Sequence, residues 1–311
     1  MRRIDLLITQ SRRSTENLDF TEDAGIQDEE ILRYFNDGQD ELYRTIQNVF
    51  PDMFQSEKII QCASEQEAYE IPDDCYIGQR IDMVEYSRSG QEKDYYTLKK
   101  GDKRERLNGS SGNPSFYIRR GGEILIQPRP EGTGKLRVLY QKTIPTLDIR
   151  RAVVFSATLA TSTITALTLD TTQALDDTSL LEDGFITIVD KNGVVKMRYI
   201  PITAIDTATG VVTIDAGFEF ESGETIAAGD YVLRGKYSST HSVLPDPFES
   251  YLLEYANTRT LIRDSSADSA ELASLLDRIS AGIQKTVSEP DGDVSQVTVL
   301  DTQYISYGDI Y

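Results

Sequence analysis

Histidine and cysteine are the first side chains to consider as carriers of catalysis or metal binding in this sequence. His241 is the only histidine, and it lies in a polar connector with no Gly-x-Ser-x-Gly nucleophile motif anywhere in the chain. This setting favours a solvent-exposed linker histidine over a catalytic base. Cys62 and Cys75 are too few for a disulfide framework or a zinc site. They are predicted to be reduced, partly buried thiols.

Acidic pairs and glycine-rich loops give no support for an enzyme either. The pairs at 73–74 and 291–293 are too short for a calcium loop and are typical of turns. Neither of the common glycine-rich nucleotide-binding motifs occurs. Carboxylates are abundant, but no pair stands out for glycoside hydrolysis, and tryptophan is absent. The sequence predicts a protein that is not an enzyme, with no catalytic residue, cofactor or metal ligand.

Charge is strongly unbalanced, with 32 Lys+Arg against 51 Asp+Glu and a net charge of -19. A protein that grips nucleic acid needs a basic surface, so that role is disfavoured. An acidic surface serves solubility, and it also suits a wall that DNA slides past, because it repels phosphate. One basic stretch, 99–106, interrupts this pattern and is predicted to be either a solvated hairpin tip or a contact with DNA or an acidic neighbour.

The absence of a long apolar run and of a secretory signal in the sequence predicts a chain that is made and folded in a cytoplasm. No apolar run approaches the roughly 20 residues that a membrane-spanning helix needs. The apolar run at 4–8 is too short, and too interrupted by Asp5, for a secretory signal.

Helical periodicity marks three segments that must position any functional surface. The first, 28–50, begins at the N-cap Asp28 and ends before Pro51. Its apolar face includes Gly38, at a cost of about 1 kcal/mol relative to alanine, which a close packing contact would explain. Two further helices, 245–263 and 266–287, are joined by a short polar link and predict an αα-hairpin. Because each has one apolar face, all three are expected to pack together.

Between the first helix and the hairpin, two segments show strand patterns. The segment 59–149 predicts a small antiparallel β domain, with a hairpin over 116–126 that turns at 121–122. The segment 153–237 is rich in Thr, Val and Ile, poor in Lys and Arg, and predicts a compact sandwich or barrel. The composition shift at 150–151 marks it as an insertion.

The predicted fold class is therefore α+β: a three-helix scaffold, a small antiparallel β domain, an inserted β-sandwich or barrel module and an extended C-terminal tail. The predicted domains are 1–150, with an N-terminal arm, the first helix and the β domain; 151–237, the inserted module; 238–289, the helix hairpin; and 290–311, the arm.

The C-terminal arm is aromatic and nearly uncharged towards its end. Its candidate contact residues are Tyr304, Ile305, Tyr307, Ile310 and Tyr311. Terminal segments usually fray in water, whereas tyrosine provides a large contact area with a polar end. This composition predicts docking, either onto the chain's own β domain or onto a partner by strand addition or pocket filling.

The order of these elements resembles the head-to-tail adaptor (connector ring) proteins of short-tailed bacteriophages. The resemblance rests on the helix Asp-Glu-Glu-Ile-Leu-Arg-Tyr-Phe-Asn-Asp-Gly-Gln-Asp-Glu-Leu at 28–42, the hairpin region 116–140 and Ile-Pro-Thr-Leu at 144–147. The closing helix pair and the tail complete it. It covers 1–150 and 238–311 and leaves the insertion 151–237 outside.

The resemblance implies a homo-oligomeric ring of 12 copies below the portal protein, at the head–tail junction of a virion assembled in the host cytoplasm. The C-terminal residues would contact the portal or a neighbouring subunit, and the lower face would receive tail nozzle or tail fibre proteins. Genomic DNA would pass through without sequence-specific binding, and no membrane is involved. Two alternatives stay open: a virion decoration or fibre-attachment protein whose β insertion binds fibres or host glycans, and a soluble enzyme or sugar-binding module.

Overall fold

The structure is a computed structural model and describes most of the chain. The described residues are 2–15, 26–76, 81–102, 110–160, 163–172, 175, 177–215, 218–219, 225–263 and 269–288. They form two compact units, one within residues 1–45 and 145–311 and the other within residues 46–144.

The described elements include the predicted order of a long helix, then strands, then two helices, and they add two helices beyond the prediction. The helices are α1 (Ile4–Ser14), α2 (Asp28–Val49), α3 (Asp177–Leu181), α4 (Glu249–Arg263) and α5 (Ser269–Ser288). The strands of the first half are β1 (Gln55–Cys62), β2 (Ala68–Glu70), β3 (Ile81–Ser87), β4 (Tyr96–Thr97), β5 (Lys99–Lys100), β6 (Ser111–Gly112), β7 (Phe116–Arg120), β8 (Glu123–Gln127), β9 (Arg129–Pro130) and β10 (Gly134–Gln141). Those of the second half are β11 (Thr146–Leu147), β12 (Ala152–Leu159), β13 (Ile164–Leu169), β14 (Phe185–Val189), β15 (Val195–Ile205), β16 (Val211–Ile214), β17 (Tyr231–Arg234) and β18 (Ser238–Ser239).

The unit of residues 46–144 is a β domain built from two four-stranded sheets. One sheet has the order β1-β10-β3-β4 and the other β2-β8-β7-β5. Strands β7 and β8 form the predicted hairpin, in which Gly121 adopts a φ of 58° that few other residues tolerate. Buried residues of both sheets, such as Val84, Val138 and Ile124, share one core. The long pairings are antiparallel as predicted, but the short β5–β7 and β6–β9 pairings are parallel.

Within the other unit, residues 152–234 form a closed six-stranded barrel with the order β12-β13-β16-β15-β14-β17. Strand β17 pairs with β12, so the sheet has no open edge. Alternate residues such as Val154, Leu167 and Ile188 point into a buried core. The sequence predicts either a sandwich or a barrel for this module. The structure shows a barrel, which confirms the mixed α+β class.

The two ends of the barrel lie close together. Strand β11 precedes the barrel in the sequence, strand β18 follows it, and the two strands pair in parallel. Thr146 lies opposite Ser238, and Leu147 lies opposite Ser239. The barrel is thus an excursion from a short two-stranded ladder.

Among the described residues, four helices are longer than two turns, namely α1, α2, α4 and α5. The sequence predicts three. The extra helix is α1, in the segment predicted as an N-terminal arm. Its buried residues Ile4, Leu7 and Ile8 follow the i, i+3, i+4 pattern of an amphipathic helix. Helix α1 packs against α4, and α4 packs against α5. None of the described helices is long and apolar enough to span a membrane.

Candidate functional site

The only histidine, His241, lies in the segment that connects the barrel to α4. His241 is half-buried rather than solvent-exposed as predicted, because its ring packs against Gly193 in the β14–β15 turn. Its Nδ1 lies 2.9 Å from the hydroxyl oxygen of Thr240. Burial, together with the positive charge of Arg3, lowers the pKa of His241. The ring therefore stays neutral at physiological pH and fills space beside the turn.

The two cysteines are thiols that stay protonated at neutral pH. Cys62 is buried, and burial raises the pKa of its thiol to about 11. Burial likewise raises the pKa of Cys75 to about 11. Because the thiolate is the reactive form, both side chains are poor nucleophiles and act as small apolar groups.

The acidic pair at 73–74 is part of a turn, as predicted. The Asp74 carboxylate is buried and accepts a hydrogen bond of 2.7 Å from the Tyr140 hydroxyl. Its backbone carbonyl accepts a hydrogen bond from the Thr143 N–H. Within the described ranges, no group of three or more His, Cys, Asp or Glu is placed to hold a metal ion. The second pair, at 291–293, lies outside the described residues.

The basic stretch is described only at its start. Lys99 and Lys100 form β5, where both side chains are exposed. Strand β5 pairs in parallel with the start of β7, with Lys99 opposite Phe116. Residues 103–106 lie outside the described part of the chain, so whether this stretch contacts a partner stays a prediction.

The candidate contact residues of the C-terminal arm also lie outside the described residues. These are Tyr304, Ile305, Tyr307, Ile310 and Tyr311. The last described element is α5, which ends at Ser288, and the arm comes after it in the sequence.

Helices α2 and α4 make close contacts with each other. The Tyr255 ring of α4 lies against Gly38 of α2, so close that a methyl group on Gly38 would come 2.7 Å from Tyr255 Cδ1. Arg263 pairs with Glu30 at 2.8 Å, and Arg259 lies 3.6 Å from Asp37. The close contact predicted from Gly38 is confirmed.

A buried ionic cluster joins the barrel to α2. The Arg151 guanidinium donates to both oxygens of Asp148, the shortest contact being 2.6 Å, and it also pairs with Glu29 of α2. Asp148 Oδ2 also accepts a hydrogen bond of 2.8 Å from the backbone N–H of Arg234, at the end of the barrel. Arg234 in turn lies 3.4 Å from Glu29.

The electrostatics of this cluster are those of a buried ion pair. The Asp148 and Arg151 side chains are 4% and 6% exposed. Burial raises the pKa of Asp148 in spite of its arginine partner, whereas the two carboxylates outweigh burial and raise the pKa of Arg151. The cluster thus connects both ends of the barrel to Glu29 of α2. The sequence marked Arg151 only as a composition boundary.

Comparison with known families identifies the first half of the chain. Residues 3–151 match the family model described as SU10 adaptor protein. This stretch is similar to the SU10 adaptor family. The resemblance to phage head-to-tail adaptors is therefore confirmed. No curated protein matches the chain.

The SU10 adaptor match ends where the barrel begins. It includes α1, α2 and the whole β domain, and its last residue, Arg151, precedes β12 at Ala152. The barrel, α4 and α5 lie beyond the match. Glu29, Asp148 and Arg151 thus lie within the matched stretch, and Arg234 is the member of the cluster that the barrel contributes.

Proposed function

We propose that this chain is a structural head-to-tail adaptor subunit of a bacteriophage virion. It forms a ring of 12 copies below the portal, joins the portal to the tail nozzle or fibres, and encloses the DNA channel. The observation that carries the proposal is the SU10 adaptor match over 3–151. A structural adaptor has no catalytic role, and the protonated thiols and neutral histidine are consistent with that.

The net charge of -19 supports the channel part of the proposal. DNA that must move through a ring during packaging and ejection would be slowed by phosphate contacts with lysine and arginine. An acidic wall repels the phosphates and leaves the duplex free to slide.

In this proposal the C-terminal arm fastens the subunit to the portal or to a neighbouring subunit. Burial of one aromatic side chain contributes on the order of 1.5–3 kcal/mol. Three tyrosines, at 304, 307 and 311, offset the entropy that the arm loses on docking, and repetition around a ring multiplies the effect through avidity.

Truncation after residue 290 tests the arm. The full chain and the truncated chain are each mixed with purified portal and weighed by native mass spectrometry. We expect a twelve-fold assembly for the full chain, none for the truncated chain, and thermal midpoints of the two free chains that agree closely. Assembly of the truncated chain with undiminished affinity would show that the arm is not the anchor.

A point variant refines this test. Replacing Tyr304, Tyr307 and Tyr311 by alanine is expected to abolish assembly. The matched control, Gln296→Ala with Thr302→Ala and Gln303→Ala, changes as many arm residues and is expected to assemble. A large loss of monomer stability in the tyrosine variant would instead indicate that the arm folds onto its own chain.

A second function, fibre attachment or decoration by the barrel, is favoured by one surface feature. Phe155 is 65% exposed, and the β12–β13 register shifts at this position, so the side chain stands outside the ladder. Bulges commonly redirect a side chain towards a partner. If the barrel binds fibres or host glycans, Phe155→Ser should abolish that binding and leave assembly on portal unchanged.

A further inference from the structure

A groove lined by arginine stands out in this acidic chain. It has a volume of about 450 Å³ and lies between α1, the start of α2 and the segment before the barrel. Its charged lining consists of Arg3, Arg12, Arg13, Arg150, Asp5 and Asp28. Four arginines against two aspartates give a local charge of +2, whereas the whole chain carries -19. Such a site attracts an anionic ligand.

Two of the four arginines are neutralised inside the groove. Arg3 makes two hydrogen bonds of 2.6 Å to the carboxylate of Asp5. Arg12 pairs with Asp28 at 2.6 Å and also donates to the Ile26 carbonyl. These pairs fix the walls and contribute little net charge.

The other two arginines supply the excess charge. Arg13 and Arg150 are both exposed, and within the described part of the chain neither has a carboxylate in ion-pair range. Arg150 is held over the Tyr231 ring, 5.6 Å from its centroid, so its guanidinium is positioned in advance. Three isoleucines and two threonines complete the lining, and the isoleucines lower the local polarity, which strengthens a charge pair.

We propose that this groove binds the acidic start of the C-terminal arm, residues 289–293, of a neighbouring copy of the chain. The inference rests on the proposed ring. Residues 289–293 carry three carboxylates, at Glu289, Asp291 and Asp293, and residues 289–311 contain no lysine or arginine. Guanidinium and carboxylate groups form paired hydrogen bonds, so the chemistries match.

The sequence of the arm then divides into two working parts. The acidic part, 289–293, joins one subunit to the next, and the aromatic part, 304–311, is left to reach the portal. Ten residues separate them, and an extended chain of that length spans about 33 Å. A DNA duplex is a poorer match for the groove, because the acidic surface of the chain repels its long run of phosphates, whereas the arm brings only three carboxylates.

The first test measures the contact without a ring. A fluorescent peptide of residues 287–296 is titrated with the full chain and followed by anisotropy. We expect the double variant Arg13→Glu/Arg150→Glu to bind it about tenfold or more weakly than the unchanged protein. The control Arg88→Glu/Arg120→Glu makes the same charge change elsewhere and should bind it normally. Equal binding by all three proteins would overturn the proposal.

The second test asks whether the contact joins two copies. The groove variant Arg13→Glu/Arg150→Glu and an arm variant, Asp291→Lys/Asp293→Lys, should each assemble on portal poorly. Mixed in equal amounts they should recover assembly, because each reversed groove then meets a reversed arm on its neighbour. Recovery only when both changes are placed in one chain would mean that the arm occupies its own groove, which overturns the neighbour contact.

Other occupants give different results. Residues 16–25 contain four acidic residues. If Glu16→Lys/Glu22→Lys rescues the groove variant and the arm variant assembles normally, that segment is the occupant and the proposal is wrong. It is equally wrong if the groove variant loses only duplex DNA binding. If the unchanged chain forms no ring on portal, the proposed function fails, and the peptide titration still decides the groove.

Discussion

Tyr255 packs its ring directly onto the backbone of α2 at Gly38, and no side chain could stand at that position without moving it. A methyl group on Gly38 would lie 2.7 Å from Tyr255 Cδ1 and 3.3 Å from Leu252 Cδ1. Both α4 residues are buried. A glycine that weakens the helix by about 1 kcal/mol is therefore used to bring two helices together.

Gly38→Ala is expected to destabilise the protein. The gain in helix propensity, about 1 kcal/mol, is smaller than the roughly 1–3 kcal/mol cost of overpacking a buried contact. The free energy of unfolding from urea titration measures the balance. In a Tyr255→Ala background only the 3.3 Å approach to Leu252 remains, so the same Gly38→Ala change should be less destabilising than in the unchanged protein. A stabilising effect in both backgrounds would contradict the packing role of Gly38.

Arg151→Met is expected to cost about 3–5 kcal/mol of unfolding free energy, because it leaves the Asp148 carboxylate buried without its cation. The matched control is Arg120→Met, which breaks an exposed pair whose side chains are 52% and 40% exposed. That pair should contribute less than about 1 kcal/mol. Similar losses in the two variants, measured by urea unfolding, would show that the buried cluster does not hold the barrel in place.

Local periodicity was enough to predict much of this fold. The apolar face of α2 and its break at Gly38 are both visible in the sequence, as are the β7–β8 hairpin and the composition of the barrel. Helix α1 also carries a readable signal, with Ile4, Leu7 and Ile8 on one face. Because this apolar run is short and is interrupted by Asp5, the sequence does not distinguish a helix here from an extended arm.

Contacts between distant segments could not be predicted in the same way. Glu29 and Arg151 are 122 residues apart, and Glu29 and Arg234 are 205 apart. No periodicity pairs such residues, because the fold of the barrel and its attachment to α2 bring them together. The groove around Arg13 and Arg150 depends on the same attachment. The half-burial of His241 likewise follows from the position of the β14–β15 turn, which the polar sequence around it does not reveal.

The stability of the protein should fall in acid partly through His241. Burial lowers the pKa of this group below its ordinary 6.5, so the unfolded chain takes up a proton at a higher pH than the folded chain does. The stabilisation is complete above that ordinary value and is lost as the pH falls towards the folded pKa. His241→Gln should therefore reduce the drop in unfolding free energy between about pH 7 and pH 5.5.

Because the chain has one histidine, no other imidazole contributes to this difference. Val243→Ala, an exposed change in the same connector, should leave the pH dependence as it was. A His241→Gln protein whose stability falls as steeply as that of the unchanged protein would rule out a depressed pKa at this position.

Removal of the barrel should leave the helical scaffold folded. The two ends of the barrel are tied by the β11–β18 ladder, in which Thr146 N–H donates to the Tyr237 carbonyl and Asp148 N–H to the Ser239 carbonyl, both at 3.0 Å. Deleting 151–236 and joining the ends with a short Gly-Ser linker therefore requires little movement of the flanking chain. We expect a protein that keeps the helical circular dichroism of α1, α2, α4 and α5 and still assembles on portal.

The deletion removes Arg151 and Arg234 and leaves the carboxylates of Asp148 and Glu29 without those cations. Both become accessible to water when the barrel is gone, so the cost should be small. Adding Asp148→Asn to the deletion checks this, and it should change the thermal midpoint by only about 2–4 °C. If the deleted protein loses its helical signal, and Asp148→Asn does not restore it, the barrel is part of the main core and not an inserted module.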